Sequence, residues 1–318
     1  MIRLGIVVPC YNEEAVLAET TSRLLSLLTR LVQLGKTHPD SLIYYVDDGS
    51  RDRTWSLIEE FSRSHKQVAG IKLSRNRGHQ NALLAGLFTA ENYDALVSID
   101  ADLQDDVDAI EKMLEEHGRG AEIVYGVRDD RSTDSRLKRL TAQCFYRLMN
   151  VLGADIVYNH ADYRLMSRKA IEAFKQYGEA NLFLRGVVPL LGFRSSVVHY
   201  KRAERFAGES KYPLKRMIAF AIEGITSFSV VPLRIITILG LFIFAFSMAM
   251  SLYTLGIKLM TSQAVPGWTS TVLPVYLLGG IQILCIGVIG EYMGKIYKET
   301  KNRPRYIIEK IVNMPNQE

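Results

Sequence analysis

The segment Asp100-Ala101-Asp102-Leu103-Gln104-Asp105 gathers three carboxylates and a carboxamide within six residues. Hard oxygen donors in so little space suit Mg²⁺ or Mn²⁺, which one or two carboxylates can hold while a substrate's phosphates fill the remaining positions. The apolar run from Ala95 to Ile99 reads as a buried parallel strand whose carboxyl end delivers these acids. That end is where open α/β sheets bind ligands. If the strand's alternation continued, Asp100 and Asp102 would share a face with Gln104 next along it, making these three the candidate metal ligands. A plainer alternative is an acidic loop in which Asp105 or Asp106 caps a helix from Val107 to His117. An EF-hand loop starting at Asp100 would reach Glu111 at its last position, but it needs glycine where Asp105 stands and a helix where the strand is expected. A phosphatase-type Asp-x-Asp nucleophile pair stays open on local grounds.

The elements that must position these acids repeat along the chain. Leu4 to Val8 reads as a first strand, and Pro9-Cys10-Tyr11-Asn12-Glu13-Glu14 ends it and opens a helix to about Leu34, stopped by Gly35. A strand, a turn and a helix N-terminus make a natural nucleotide seat. Ser41 to Val46 precedes Asp47-Asp48-Gly49-Ser50 and a helix over about Arg53 to Ser64. Val68 to Leu73 precedes Ser74-Arg75-Asn76-Arg77-Gly78-His79-Gln80 and a helix over Asn81 to Ala90. A fifth strand is expected at Ile123 to Tyr125. This alternation predicts an α/β domain with a mostly parallel sheet covered on both faces. Neither Gly-x-Gly-x-x-Gly nor Gly-x-x-x-x-Gly-Lys-Ser/Thr occurs, so phosphates must be held by a metal and basic side chains.

Beyond these elements, Arg128 to Arg139 is polar and reads as a loop over the site, followed by a helix over about Leu137 to Leu152. His160-Ala161-Asp162-Tyr163-Arg164-Leu165-Met166 reads as a short strand with Asp162 and Arg164 on one face. A buried structural ion pair and a catalytic Asp162 both fit it. His160 by itself reads as structural. A helix near Ile171 to Tyr177 and a strand near Ser195 to Tyr200 complete the domain.

The chain has 318 residues and a net charge of +5, and the excess is local: residues 201–318 carry 14 Lys+Arg against 7 Asp+Glu and no aspartate. Those charges flank long apolar runs and are not interleaved with aromatics on a polar surface, which points to membrane headgroups or a lipid phosphate and away from nucleic acid. Three scattered cysteines imply neither a zinc site nor a disulfide framework. The strand-like N-terminus is too short for a signal peptide, so the catalytic part is expected to stay in the cytoplasm.

Lys201 to Pro213 is basic, glycine-containing and irregular, suited to wrap an anion or to flank a membrane segment. Leu214 to Val231 carries apolar residues at helical spacing among Lys215, Arg216 and Glu223, as in helices lying on a membrane surface. Ile235 to Ile257 is uncharged over 23 residues, and Thr271 to Gly290 over 20. About 20 apolar residues span a bilayer, so two transmembrane helices forming a hairpin are expected. Lysines and arginines flank the outer ends while the connecting turn has only Lys258, which places both termini in the cytoplasm at an inner, plasma membrane. The expected organisation is a catalytic domain over 1–212, interfacial helices over 213–231, two transmembrane helices over 232–294 and a basic tail over 295–318.

Five stretches together resemble the inverting family 2 glycosyltransferases with a GT-A (Rossmann-like) fold, in their polyprenyl-phosphate branch. They are Val8 to Glu14, Val46-Asp47-Asp48-Gly49-Ser50, Asp100 to Asp105, Asp162-Tyr163-Arg164-Leu165 and Arg205-Phe206-Ala207-Gly208-Glu209-Ser210-Lys211-Tyr212. The two-helix tail looks like that of bacterial bactoprenol glucosyltransferases, and dolichol-phosphate mannose synthases are similar over the first 212 residues. The resemblance implies that Pro9, Tyr11 and Glu13, with Asn12 in the same turn, line the nucleotide together with Asp48. It also implies that Asp102 and Gln104 hold Mg²⁺ or Mn²⁺ with Asp100 beside them, and that Arg205, Ser210 and Lys211 face phosphates. The donor would be a nucleotide sugar such as UDP-glucose or GDP-mannose, and the acceptor a polyprenyl phosphate such as undecaprenyl phosphate. The Gln-x-x-Arg-Trp motif of processive members is absent, which argues against polymer synthesis.

Two other classes compete with a transferase. A lipid-phosphate phosphohydrolase would leave the three earlier strand-end motifs unexplained and would want a threonine two residues after Asp102, where Gln104 stands. A membrane scaffold that only binds nucleotide predicts no turnover. Two transmembrane helices are too few for a transporter alone, although a homo-oligomer could enclose a path.

Overall fold

A computed structural model of the chain describes residues 1–90, 92–128, 160–178, 184–201 and 268–314, with single positions between 233 and 249. The described residues fall into two compact units, one holding every strand and the other the helix Trp268–Thr300.

The strands are β1 Leu4–Cys10, β2 Leu42–Asp47, β3 Val68–Leu73, β4 Ala95–Ser98, β5 Ile123–Arg128, β6 His160–Ser167, β7 Ser195–Tyr200 and β8 Ile308–Val312. Between them lie the helices α1 Leu17–Gln33, α2 Thr54–Ser64, α3 His79–Thr89, α4 Ala109–Gly118, α5 Arg168–Lys175, α6 Leu184–Leu190 and α7 Trp268–Thr300. One eight-stranded sheet runs in the order β7-β5-β6-β4-β1-β2-β3-β8. Strands β4, β1, β2 and β3 are mutually parallel, β5 and β7 are parallel, and β6 and β8 run antiparallel to their neighbours. The expected α/β, mostly parallel architecture is what the chain adopts.

Helices cover both faces for a reason visible in β1. Leu4, Ile6 and Val8 point to one face and are fully buried with Leu24, Leu27, Leu28 and Leu31 of α1 and with Ile110 and Met113 of α4. Val7 points to the other face, where a Cβ added at Gly86 of α3 would stand only 2.3 Å from its Cγ1. The absent side chain lets α3 settle onto β1 and β2.

Strand order reverses at β1: the chain steps from β1 to β2 and β3, then crosses back to place β4 on the opposite side of β1. In open α/β sheets the crevice at such a switch point receives the ligand. The turn after β1 and the acidic loop after β4 flank it.

Two differences from the sequence reading concern the ends of elements. Strand β4 stops at Ser98, and the chain turns through a left-handed Leu103 (φ 57°), so no pleat continues through Asp100 and Asp102. Residues 303–314, expected to be part of a basic tail, return to the catalytic sheet, where β8 pairs with β3. The alternating charges Glu309 and Lys310 suit an edge strand, where charge discourages further pairing.

Helix α7 is 33 residues long and includes the uncharged stretch Thr271 to Gly290, several of whose side chains lie outside the described residues. Among the described residues, no helix is long and apolar enough to cross a membrane. Arg128, expected to open the loop over 128–139, instead ends β5, paired in register with Tyr200 of β7. The rest of that loop, the helix over 137–152, the interfacial helices over 213–231 and the basic segment bearing Arg205, Ser210 and Lys211 lie outside the described residues.

Candidate active site

The acidic loop is held from three directions. Thr20 Oγ1 of α1 donates to Ala101 O at 2.8 Å, and Tyr163 OH of β6 donates to Asp106 O at 2.8 Å. Inside the loop, Gln104 N–H donates to Asp102 Oδ1 at 3.2 Å. Asp105 does not cap the following helix, contrary to the capping alternative. Its side chain is 1% exposed, and Oδ1 accepts from Arg128 Nη2 at 3.0 Å and from Tyr200 OH at 2.5 Å. The Arg128 guanidinium offsets the burial of this carboxylate and is itself held in its charged form by it. Asp106 Oδ1 accepts from Asp108 N–H at 3.0 Å, so only a local turn contact survives of the expected cap.

Asp100 and Asp162 converge from β4 and β6. Asp162 Oδ1 pairs with Arg164 Nη2 at 2.7 Å, with Arg164 only 2% exposed, so the structural ion pair exists. Its other oxygen, Oδ2, lies 3.9 Å from His79 Nε2, and the same nitrogen is 3.5 Å from Asp100 Oδ1. The pair with Arg164 therefore orients Asp162 through Oδ1. Removal from water pushes the Asp100 carboxyl up to about 6; His79 pulls it down, and repulsion from Asp105, Asp162 and Asp102 adds to the rise.

His79 was not among the residues singled out from sequence. The signal was present, because His79 follows a strand end and opens α3, the same placement that marked the acids.

A second cluster binds loops together and includes two of the residues expected at the nucleotide. Asp48 is 2% exposed, and its oxygens accept from Arg77 N–H at 2.7 Å and Gly78 N–H at 2.8 Å. Burial raises its pKa while those two amides lower it. Asn12, left-handed at φ 56°, accepts from Arg51 N–H at 2.9 Å through Oδ1, and its own N–H donates to Ser50 Oγ at 3.0 Å. Asp48 and Asn12 thus shape the crevice through backbone bonds. Pro9 is buried in β1, Glu13 N–H donates to Thr54 Oγ1 at 2.9 Å, and Tyr11 is 41% exposed in the turn after β1.

Gly49 shows how tightly these loops meet. Its φ is 68°, and an added Cβ would stand 2.7 Å from the backbone of both Arg75 and Asn76. Gly49→Ala is expected to cost about 1–3 kcal/mol for the left-handed backbone alone, read as a lowered denaturation midpoint. An unchanged midpoint would contradict this packing.

Among the described residues, no three His, Cys, Asp or Glu side chains are arranged to hold a metal ion by themselves. Asp100, Asp102 and Gln104 nonetheless fit a divalent ion that would complete its shell on a ligand's phosphates: they are hard oxygen donors within five residues, and the repulsion that Asp105, Asp162 and Asp102 exert on Asp100 is what a cation would relieve.

The family model described as "Glycosyl transferase family 2" matches residues 5–174. The chain belongs to glycosyl transferase family 2. This family 2 enzyme is 51% identical over 307 residues to "Uncharacterized glycosyltransferase YkoT" of Bacillus subtilis (strain 168), covering 96% of this chain and 91% of that one. It is 41% identical over 313 residues to "SfII prophage-derived bactoprenol glucosyl transferase" of Shigella flexneri, covering 97% and 98%. It is also 39% identical over 311 residues to "Prophage bactoprenol glucosyl transferase homolog" of Escherichia coli (strain K12), covering 98% and 99%.

Proposed function

We propose that this glycosyltransferase moves one glucose from UDP-glucose to the phosphate of a polyprenyl phosphate, undecaprenyl phosphate, with inversion and with help from Mg²⁺ or Mn²⁺. The observation that carries the reading is Asp100, Asp102 and Gln104 at the switch point, in a chain about 40% identical to bactoprenol glucosyl transferases over nearly its whole length. A second reading, GDP-mannose as donor, keeps the same residues and differs only in the base and sugar.

In this account Asp100, Asp102 and Gln104 would hold the metal, which supplies Lewis-acid stabilisation to the departing diphosphate. The turn Pro9 to Glu13 carries the nucleotide, with Tyr11 exposed for stacking. An oxygen of the acceptor phosphate attacks the anomeric carbon as the bond to the donor's diphosphate breaks, leaving nucleoside diphosphate and a sugar-phosphate lipid. Phosphate monoesters have a second pKa near 6, so the acceptor is largely ionised at pH 7 and needs no strong base. Asp162, held by Arg164, then orients the acceptor instead of removing an essential proton. Incubating the enzyme with UDP-glucose, GDP-mannose and other nucleotide sugars in turn tests the donor: the reading expects nucleoside diphosphate release from UDP-glucose, and a preference for GDP-mannose would replace it with the second reading.

Membrane anchorage through 232–294 is part of the proposal, with the catalytic domain and both termini cytoplasmic. Two uncharged runs support it, as do the exposed Ile286, Ile289, Met293 and Ile296 of α7. Strand β8 adds a constraint: a sheet cannot be shared across a bilayer, so any crossings between residues 213 and 302 must be even in number. A cysteine placed at Ser262 or Thr269 is expected to react with an impermeant thiol reagent in intact cells, and one at Asn313 not to react. The reverse pattern would contradict the orientation.

A further inference from the structure

The ladder between β3 and β8 runs from Gly70 opposite Val312 to Leu73 opposite Ile308, and it continues beyond the strands. Ser74 N–H donates to Ile307 O at 3.0 Å. Side chains fix the same segment: Lys310 Nζ lies 2.6 Å from Glu59 Oε1, Lys72 Nζ lies 3.1 Å from Glu309 Oε1, and Asn313 Nδ2 donates to Val68 O at 2.7 Å. Ahead of the strand, Arg305 Nη2 donates to Tyr177 O at 2.6 Å.

Ser74 opens the loop Ser74-Arg75-Asn76-Arg77-Gly78, which has no apolar side chain with which to pack itself. Such a loop takes its shape from its backbone bonds. Its far end is bonded to Asp48, its middle presses on Gly49, and its near end is held by Ile307. His79 follows at once, against Asp100 and Asp162.

We infer that the C-terminal strand is a positioning element of the active site: by holding Ser74 it fixes the loop that sets His79 against Asp100 and Asp162. The strand touches none of these acids and acts only through the loop. The inference rests on the reading of Asp100 and Asp162 as serving sugar transfer.

Two variants test it, a chain ending at Asn302 supplemented with a synthetic peptide of residues 303–314, and Ser74→Pro in the full chain, which removes the one N–H donor. Amide exchange at Arg77 and Gly78, the thermal midpoint, kcat and the KM for donor and acceptor are measured on each. The shortened chain is expected to exchange those two amides at least tenfold faster and to lose at least tenfold in kcat with the acceptor KM little changed, and the peptide is expected to restore both. Ser74→Pro should lower kcat and raise exchange at Arg77 and Gly78 while β1 and β2 stay protected, and it decides the matter if the shortened chain does not fold. Full kcat in either variant, or a lost kcat with unchanged exchange at Arg77 and Gly78, overturns the inference. An intact chain that transfers no sugar would instead refute the reading of the site, and the exchange arm would still judge the strand's hold on the loop.

Discussion

Asp102→Asn is expected to lower sugar transfer by roughly 10³-fold or more, about 4 kcal/mol of barrier, while leaving the fold intact. The amide keeps the size of the side chain and one oxygen, so the turn in which Gln104 N–H meets Asp102 Oδ1 can persist. What it loses is the charge that, in the proposed reading, would hold a cation against a diphosphate, so that the leaving group would depart with its charge unrelieved. Asp102 lies in a loop past the end of β4 and outside the apolar core, so the thermal midpoint should move little. Asp102→Ala should behave alike in transfer. Full activity of Asp102→Asn, or of the unaltered enzyme in excess chelator, would contradict metal-assisted departure.

Lys211→Ala is the second large effect expected, and Arg205→Ala should follow it. A polyprenyl tail cannot leave the bilayer, so its phosphate is confined to the headgroup plane and the site must meet it there. The segment from Arg202 to Lys211 joins β7, the last strand before the C-terminal region, to the stretch read as interfacial helices, which makes it the basic stretch nearest that plane in sequence. As a clamp, Lys211 offsets repulsion between the acceptor phosphate and the donor diphosphate, and its loss should cut turnover by orders of magnitude at subsaturating lipid phosphate. As a mere membrane-attracting flank it contributes about 1 kcal/mol, which two transmembrane helices would make irrelevant. Near-normal transfer by both variants in detergent would rule out the clamp.

The core of the fold was legible because its strands are short apolar runs that stop at turn residues. Val68–Leu73 and Ser195–Tyr200 fall where the residues placed them, and the acids at strand ends marked the switch point. What sequence did not show is bonding between loops distant in the chain. Nothing local says that Asp48 would bond the amides of Arg77 and Gly78, or that Asp105 would turn to Arg128 and Tyr200, because each partner is brought in by a different strand. Strand β8 was hidden for a related reason: Ile308-Glu309-Lys310-Ile311-Val312 follows lysines and arginines and gains its regularity only from pairing with β3. His79 was passed over because a single histidine in a polar turn has no periodicity, and only the meeting of β4, β6 and α3 gives it two carboxylates.

The central claim is one-step transfer of a hexose to a lipid phosphate, and radiolabel tests it most directly. The enzyme is incubated with UDP-[¹⁴C]glucose, undecaprenyl phosphate and Mn²⁺, and the mixture is extracted with organic solvent. Label in the organic phase as a lipid carrying one hexose, absent with Asp102→Asn, is the predicted result. Label that stays in water as free glucose, or inorganic phosphate released from the lipid without sugar transfer, would contradict it.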